Sequence, residues 1–295
     1  MSSPTMPPPL SPEVAAAMKH HAQGIKERMA SGGSFVTRWD LSGKNAIVQP
    51  GGELIVRLAP RWDILSSWMQ DATGKWVANP AYTPGPIFVA ARGHWWDTAD
   101  GKTNHAWCLT LRGESCPISE AADELRRSSA DEDRKLAKRI GAKDEFIFNI
   151  YVGPTGQRKI TDKGRPDVRP VILTGTIFLA ISNLMTGGEN PAFARGDISN
   201  PQHGFDLKFA RPVGGGNDRW KVDIAPQPSP LFLPAEAARW KGWMSDLLDL
   251  EKMLDSEMRP YEELYQAFYQ TAPPTGSGSA GGGQAPSMAA GWSPP

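Results

Sequence analysis

Residues 92–119, RGHWWDTADGKTNHAWCLTLRGESCPIS, form the segment with the strongest chemical pattern in the chain. This segment contains both cysteines, Cys108 and Cys116, two of the five histidines, His94 and His105, and three of the eleven tryptophans. A histidine near a strand end, then a cysteine, then a second cysteine that opens a helix, is the ligand layout of a small zinc-binding insertion. The segment therefore predicts a zinc-finger-like subdomain within a larger fold.

The fourth zinc ligand is left open by the spacing. A tetrahedral zinc site usually includes Cys-x-x-Cys at a chain reversal, and Ser119 stands where the second cysteine of that pair would be. A serine hydroxyl is a poor zinc ligand, so the fourth donor would be His105 or a water molecule. The alternative is a metal-free insertion that keeps its shape through the packing of Trp95, Trp96 and Trp107, with both thiols buried.

Length and composition indicate a globular protein. The 295 residues, 40% of them hydrophobic, can form one large domain or two small ones. No run of eighteen apolar residues occurs, and residues 1–10 contain four prolines and no apolar signal-peptide region. We therefore expect a cytoplasmic protein with reduced thiols and no membrane partner.

A formal net charge of zero conceals two regions of opposite charge. Residues 126–169 contain twelve Lys or Arg and seven Asp or Glu, a net charge of +5. Residues 235–271 contain four basic and eight acidic residues, a net charge of −4. The basic region is compatible with a nucleic-acid partner although the whole chain is neutral.

Alternating apolar residues and flanking turn residues predict the main elements. The apolar segment 174–184 could be either a helix or a strand. Strands are predicted at 54–58, 87–91, 146–152, 205–209 and 220–224, the last two as a hairpin. Helices are predicted at 12–29, 120–140, 235–253 and 259–270.

Several short segments stand in a fixed order between residues 45 and 235. They are 55–60 (IVRLAP), a strand ending in Gly93-His94, Cys108-Leu109, Cys116-Pro117-Ile118 before a helix, a basic segment, 149–152 (NIYV), 204–211 (GFDLKFAR) before a glycine-rich turn, Trp220-Lys-Val and 226–231. Each segment alone is a weak signal. In this order they resemble the helix-destabilising single-stranded DNA-binding proteins of T-even-like tailed bacteriophages.

The resemblance implies a mainly β fold with flanking helices. Its core would be an OB-fold, a five-stranded barrel, with a zinc-finger-like insertion subdomain. By the same resemblance the zinc ligands would be His94, Cys108 and Cys116. The chain departs from the family at Ser119, which is not a cysteine, and in its neutral tail, because the family's tail is acidic.

The function implied by the resemblance is non-enzymatic. The protein would coat and protect single-stranded DNA without sequence specificity during phage replication, recombination and repair. It would work in the host cell cytoplasm and associate with itself along the strand. The tail could contact replisome or recombination proteins.

The same resemblance and the composition divide the chain into four parts. Residues 1–40 form an arm with a basic helix for protein–protein contacts, and residues 41–234 form the DNA-binding core with its insertion at 92–140. Residues 235–271 form acidic helices, and residues 272–295 a disordered Gly, Pro and Ser tail.

Binding to single strands needs cations for phosphates and aromatic faces for unstacked bases. Alternation places Phe146 and Phe148 on one face of their strand and Tyr151 on the other, so at least one set is expected in the core. The candidate DNA-binding residues are Lys135, Lys138, Arg139, Lys143, Phe146, Phe148, Tyr151, Arg158, Lys159, Lys163, Arg165, Arg169, Lys208, Arg211 and Trp220.

Two other functions are compatible with parts of the sequence. A metal-dependent nuclease is suggested by the histidines and cysteines near Asp97 and Asp100, but no pair of carboxylates at a fixed spacing and no glycine-rich phosphate loop supports it. An aromatic-rich carbohydrate-binding or virion structural module is suggested by the tryptophan content. The basic residues of 158–169 count against that module.

Overall fold

The computed structural model describes residues 52–73, 76–97, 103–161, 164–210, 221–236 and 239–271, together with Ala16 and Lys19. The predicted arm at 1–40 and tail at 272–295 lie outside these residues, apart from Ala16 and Lys19, which are helical and exposed. Within the described part, no helix combines the length and the apolar character needed to cross a membrane.

The described residues contain nine strands. They are β1 (Glu53–Leu58), β2 (Trp68–Gln70), β3 (Trp76–Ala78), β4 (Phe88–Asp97), β5 (Thr103–Trp107), β6 (Lys143–Val152), β7 (Val168–Thr174), β8 (Leu207–Ala210) and β9 (Lys221–Ile224). Seven of them form one sheet in the order β5-β4-β6-β1-β8-β9, with β7 paired to β6. Strands β2 and β3 form a separate two-stranded sheet.

The registered pairs of the large sheet are antiparallel. Val56 lies opposite Val152 of β6 and opposite Leu207 of β8, and Phe209 lies opposite Val222 of β9. The sheet is not closed into a barrel over the described residues. The described residues therefore form a mixed α/β fold with a mostly antiparallel sheet of seven strands, and the predicted five-stranded barrel stays a prediction.

The described residues also contain six α-helices. They are α1 (Pro117–Arg127), α2 (Asp131–Ile140), α3 (Gly175–Thr186), α4 (Trp240–Met244), α5 (Leu250–Glu257) and α6 (Tyr261–Tyr269). Short 3-10 helices occur at Ile64–Ser67, Leu109–Arg112, Pro191–Phe193 and Pro234–Glu236. The prediction of helix at 235–253 is therefore correct only in part. The segment is not one continuous helix but contains a 3-10 turn, α4 and the start of α5.

The predicted helix at 120–140 is divided into α1 and α2. Ser128 and Ala130 have extended backbones, with ψ of 144° and 131°. The Ser128 hydroxyl donates a hydrogen bond of 2.5 Å to Asp133, which fixes the start of α2. Acidic residues in the first turn of α2 and Lys138 and Arg139 in its last turn complement the helix dipole.

The chain divides into two compact units. Unit 1 contains Met1–Val89 and Phe146–Glu251, and unit 2 contains Ala90–Glu145 and Lys252–Pro295. The predicted insertion at 92–140 lies within unit 2. Part of the segment predicted as separate acidic helices also belongs to unit 2, because α6 lies there.

Each unit has its own apolar core. In unit 1 the ring of Phe178 in α3 stacks on Phe146 at 3.8 Å between centroids and meets Phe88 edge to face at 4.9 Å. The apolar segment 174–184 is thus a helix that lies against the sheet side chains. The core of unit 2 combines residues of three helices with both cysteines; it includes Leu109, Ile118, Leu125, Ile140, Leu264 and Phe268.

Candidate metal centre and nucleic-acid-binding residues

Three predicted zinc ligands meet in the core of unit 2. His94 lies in β4, Cys108 directly follows β5, and Cys116 is the residue before the first turn of α1. The possible ligand atoms of these residues all lie within 4.8 Å of one another, and the three side chains are buried. Residues separated by 22 positions in the chain therefore form one group that could hold a metal ion.

Ser119 completes this cluster at a fourth corner. The Ser119 Oγ atom lies 3.3 Å from His94 Nε2 and 3.3 Å from Cys108 Sγ, and Cys116 Sγ lies 3.4 Å from His94 Nε2. An ion bound to sulfur at about 2.3 Å and to nitrogen at about 2.0–2.1 Å would hold tetrahedral donors about 3.6 Å apart. These three distances are therefore close to those between the donors of a tetrahedral ion.

The tautomer of His94 is fixed by the backbone. Its Nδ1 atom lies 2.8 Å from the carbonyl oxygen of Ile140. Since a carbonyl oxygen only accepts hydrogen bonds, Nδ1 carries a proton and donates this hydrogen bond. In the neutral ring Nε2 then has no proton, and its lone pair is directed toward the two cysteines. In metal-binding histidines, the ring nitrogen that does not bind the metal usually donates a hydrogen bond to a group of this kind.

The two thiols differ in acidity. The hydrogen bond from Cys116, and also those from Ser119 and Thr110, lower the pKa of the Cys108 thiol. The shared hydrogen bond with Cys108 and burial raise the pKa of the Cys116 thiol. The cluster therefore favours one thiolate, the form of cysteine that binds metals.

His105 does not supply the fourth ligand, and that prediction is corrected. Its Nε2 atom lies 3.0 Å from Oε2 of Glu145, whose Oε1 accepts a 2.5 Å hydrogen bond from the Trp95 indole. The ring is enclosed by Trp95 at 4.3 Å and Trp107 at 4.6 Å between centroids. The cause is strand alternation: Trp95 and His105 face each other across the β4–β5 ladder, one position out of step with His94.

The tryptophan packing and the donor cluster coexist. The Trp107 indole also donates a 3.0 Å hydrogen bond to Glu257, and Trp96 meets Phe268 edge to face at 5.8 Å. These contacts pack the tryptophans into the core of unit 2. The donor set of one imidazole and two thiols, with a fixed imidazole tautomer, nevertheless fits a borderline ion such as zinc.

The three aromatic residues predicted to stack on bases belong to the core. Phe146, Phe148 and Tyr151 are at most 1% exposed. Tyr151 packs with Leu231, Met244 and other residues, so both faces of β6 are covered. A base cannot reach these rings, and the prediction that they bind DNA is corrected for this reason.

Arg158 is also buried, because a fixed carboxylate holds it. Its guanidinium donates a 2.7 Å hydrogen bond to Asp206 and further bonds to the carbonyl oxygens of Gly153 and Leu231. Only 4% of its side chain is exposed. Arg158 therefore stabilises unit 1 and is not available to a phosphate.

The other predicted cations within the described residues are divided between the two units. Lys135, Lys138, Arg139 and Lys143 belong to unit 2, and Lys159, Arg165, Arg169 and Lys208 belong to unit 1. Most of them form ion pairs with carboxylates: Lys135–Glu132, Arg139–Asp97, Lys159–Asp167, Arg165–Asp246, Arg169–Asp167 and Lys208–Glu53. Exposed pairs contribute about 0–1 kcal/mol each, so a phosphate can replace an exposed carboxylate at small cost. Asp167 is buried, and replacing it would leave a buried carboxylate without its partner.

Three predicted DNA-binding residues lie outside the described residues. They are Lys163, Arg211 and Trp220. The sequence pattern placed Ser119 at the position of the fourth ligand, and its hydroxyl does lie beside His94 and Cys108. The pattern did not indicate that two aromatic side chains, Trp68 and Phe193, are exposed.

Comparison with known proteins found no family model that matches the chain and no matching curated protein sequence.

Proposed function

We propose that this protein binds single-stranded DNA without sequence specificity and coats it during phage replication, recombination and repair. The observation that carries the proposal is the meeting of His94, Cys108 and Cys116 in one buried cluster. The resemblance to the phage helix-destabilising proteins implied these three residues as a set. Their convergence supports the resemblance on which the function depends, and no catalytic role is proposed.

Exposed cations support the same proposal. Lys159 and Arg165 are 62% and 56% exposed, and Arg169 and Lys208 are 42% and 40% exposed. All four belong to unit 1. Arg165 and Lys208 pair with Asp246 and Glu53, which are partly exposed, whereas Lys159 and Arg169 share the buried Asp167. Binding of this kind releases counterions and weakens as the salt concentration rises.

The OB-fold is part of the proposal. Strand β6 is ten residues long and pairs with three strands, β4, β1 and β7. A long strand with several partners is typical of strongly curved sheets and small barrels. This pairing supports an OB-type core, and an experimental structure of the full chain is the direct test.

We also propose zinc as the ion of the cluster, in a structural role. All three protein ligands are buried, so a substrate would have no access to the ion. Bound zinc would link β4, the segment after β5 and the start of α1. The expected result of metal analysis on purified protein is one zinc per chain.

The experiment that tests the function is an oligonucleotide titration. Fluorescence anisotropy would compare a labelled dT oligonucleotide with a duplex of equal length at several salt concentrations. We expect tight binding to the single strand, much weaker binding to the duplex, and a linear loss of log affinity with log salt concentration. Equal affinity for the two forms, or no binding, would contradict the proposal.

A charge variant adds a control to this titration. Removing one phosphate contact, as in Arg165→Ala or Lys159→Ala, should reduce the salt slope by about one. Arg134→Ala is the matched comparison and should leave the salt slope unchanged, because Arg134 pairs with Asp131 on the same helix, α2 of unit 2, and is not one of the predicted DNA-binding residues.

A further inference from the structure

The two cysteines of the chain lie close enough to react with each other. Both are free thiols, and their Sγ atoms lie within 4.8 Å of each other. A disulfide needs a sulfur–sulfur distance of about 2.05 Å, so the two sulfurs would have to approach by less than about 3 Å. Since the sequence contains no third cysteine, one two-electron oxidation would use every thiol of the chain.

The segment between the two cysteines is a surface turn. The 3-10 helix Leu109–Arg112 follows Cys108, and residues 110–115 are exposed. Gly113 has a φ of +74°, and an added Cβ there would meet no atom within 4 Å. An exposed turn with open space around it adjusts at a lower cost than a packed core, so this segment can follow the sulfurs as they approach.

The two sulfurs have different neighbours. Cys108 Sγ lies 3.0 Å from Oγ1 of Thr110, an exposed residue, and 3.3 Å from Oγ of the half-buried Ser119. Cys116 Sγ lies 3.4 Å from Nε2 of His94, which is 0% exposed. A water-sized oxidant therefore meets Cys108 first when the surface turn opens.

The hydrogen bonds of the pair favour the same order of reaction. The hydrogen bond that the two thiols share lowers the pKa of the Cys108 thiol and, together with burial, raises the pKa of the Cys116 thiol. The thiolate is the form of cysteine that attacks a peroxide. Position and acidity thus both assign the first attack to Cys108 and the second to Cys116.

We propose that Cys108 and Cys116 form a reversible redox centre, which a hydroperoxide oxidises to an intramolecular disulfide. In a reducing compartment a disulfide of this kind is transient and senses the redox state, whereas structural disulfides belong to oxidising compartments. The centre requires neither DNA binding nor a bound metal ion, so it goes beyond the proposed function.

The reaction has two balanced steps. The Cys108 thiolate attacks one oxygen of the hydroperoxide, so an S–O bond forms, the O–O bond breaks, and the other oxygen leaves as hydroxide or alkoxide. The Cys116 sulfur then attacks the sulfur of the resulting sulfenic acid. The S–S bond forms, the S–O bond breaks, and the hydroxyl group leaves as water with the proton of Cys116. The two thiols lose two electrons, and the hydroperoxide gains them.

The disulfide and a bound ion exclude each other. Zinc binds cysteine as the thiolate, so the disulfide would leave His94 as the only strong ligand of the cluster. Ser119 stands where a third cysteine would otherwise retain the ion. Oxidation should therefore release zinc, and bound zinc should slow oxidation. This coupling rests on the zinc proposed above, whereas the disulfide itself does not.

The test uses the full-length protein, both loaded with zinc and after removal of metal by a chelator, with hydrogen peroxide as the oxidant. We expect the titratable thiols to fall from two to none and dithiothreitol to restore both. Peptide mapping without reductant should find one Cys108–Cys116 disulfide within a single chain. The zinc-loaded protein should release one ion for each disulfide, measured with a chromophoric chelator.

Single-cysteine variants test the order of the two steps. Cys116→Ser should accumulate a sulfenic acid at Cys108 that a dimedone probe labels, because no second thiol remains to displace the hydroxyl group. The matched variant Cys108→Ser should be labelled at Cys116 more slowly by about tenfold or more. Circular dichroism checks that each variant is folded, and the peptide map of the wild type does not depend on either variant.

The outcomes separate the redox centre from the proposed function. Thiols that persist, disulfides between two chains or direct oxidation to sulfinic acid would overturn the redox centre. Faster labelling of Cys116 than of Cys108 would overturn the assigned order. If the disulfide forms but metal analysis finds no zinc, only the proposed zinc site fails. If the disulfide forms but no oligonucleotide binds, only the proposed DNA binding fails.

Discussion

At the scale of single residues, the candidate metal centre differs from a closed zinc site by one atom. Ser119 Oγ already lies 3.3 Å from both His94 Nε2 and Cys108 Sγ. The position is therefore right for a ligand, and only the chemistry of the donor is weak. A thiolate at this position would give three sulfur ligands and one nitrogen ligand, a common structural zinc set.

We predict that Ser119→Cys increases zinc affinity by about tenfold or more, because a thiolate replaces a weak oxygen donor at a position with tetrahedral spacing. Competition with a chromophoric chelator measures the affinity. Ser119→Ala is the control and should differ little from the wild type, because the hydroxyl contributes little to binding. An unchanged affinity of Ser119→Cys would show that the fourth coordination position lies elsewhere.

A second residue-scale prediction concerns Gly93, next to His94. An added Cβ there would lie 2.4 Å from Glu145 Oε2 and 2.4 Å from His105 Nε2. Gly93→Ala should therefore break the Glu145–His105 contact and lower the free energy of unfolding by about 1–3 kcal/mol. Urea unfolding followed by circular dichroism measures the change.

Gly242→Ala is the matched control for Gly93→Ala. Gly242 lies in helix α4, and an added Cβ meets no atom within 4 Å. Since alanine is favoured over glycine in helices, this variant should be neutral or more stable by up to about 1 kcal/mol. Equal effects of the two substitutions would contradict the close packing around Gly93.

At the scale of elements, the sequence predicted those segments whose pattern is local. The strands at 54–58 and 146–152 and the pairing of 205–209 with 220–224 correspond to β1, β6 and the β8–β9 hairpin. Strands β2 and β3 were missed because each is three residues long, too short to show alternation.

Burial was harder to predict than secondary structure. Phe146 and Tyr151 point to opposite faces of β6, and alternation alone would expose one of them. Both are covered, because α3 packs on one face and residues of 231–247 pack on the other. Such long-range packing is not encoded in the period of a single strand.

The helix α6 gives an element-scale prediction. Leu264 and Phe268 pack in the same core as Cys108, Cys116 and Leu109. Leu264→Ala should lower the free energy of unfolding of unit 2 by about 2–5 kcal/mol, because it leaves a cavity in that core. It should also speed the loss of zinc to a chelator, since the ligands are positioned by this packing.

The control for Leu264→Ala is Gln266→Ala on the same helix. Gln266 is exposed, and alanine is a good helix former, so stability and zinc release should match the wild type. Chelator kinetics that are equal for Leu264→Ala and the wild type would show that α6 does not support the metal centre.

At the scale of the whole molecule, the zero net charge is the sum of basic and acidic regions, and some acidic residues near the C-terminal end of the described chain form ion pairs. Acidic residues of 235–271 pair with basic residues of the same unit, as in Arg165–Asp246 of unit 1 and Arg112–Asp255 of unit 2. The charge pattern of the sequence showed the two regions but not which residues pair. Because these pairs are exposed, they hold cations in place without making them unavailable to phosphates.

The tyrosines give a whole-molecule prediction for alkaline pH. Burial is the main cause that raises the pKa of all five tyrosines, namely Tyr82, Tyr151, Tyr261, Tyr265 and Tyr269. A raised pKa in the folded state gives stability that is complete below the unfolded pKa of about 10 and is lost as pH rises above it. Arg57 opposes this loss. Burial lowers the pKa of its guanidinium to about 10 in the folded state, so its contribution to the free energy of unfolding rises with pH.

Five groups outweigh one, so we predict cooperative alkaline unfolding in which tyrosine ionisation and loss of circular dichroism occur together above pH of about 10. A pH titration followed by tyrosinate absorbance and circular dichroism checks this. Tyr151→Phe should make the loss of stability less steep, because it removes a fully buried phenol whose hydrogen bonds to Trp243 O and Met244 Sδ are long, 3.4 Å and 3.9 Å. If all five tyrosines ionised while the circular dichroism stayed native, the prediction that their ionisation requires unfolding would be wrong.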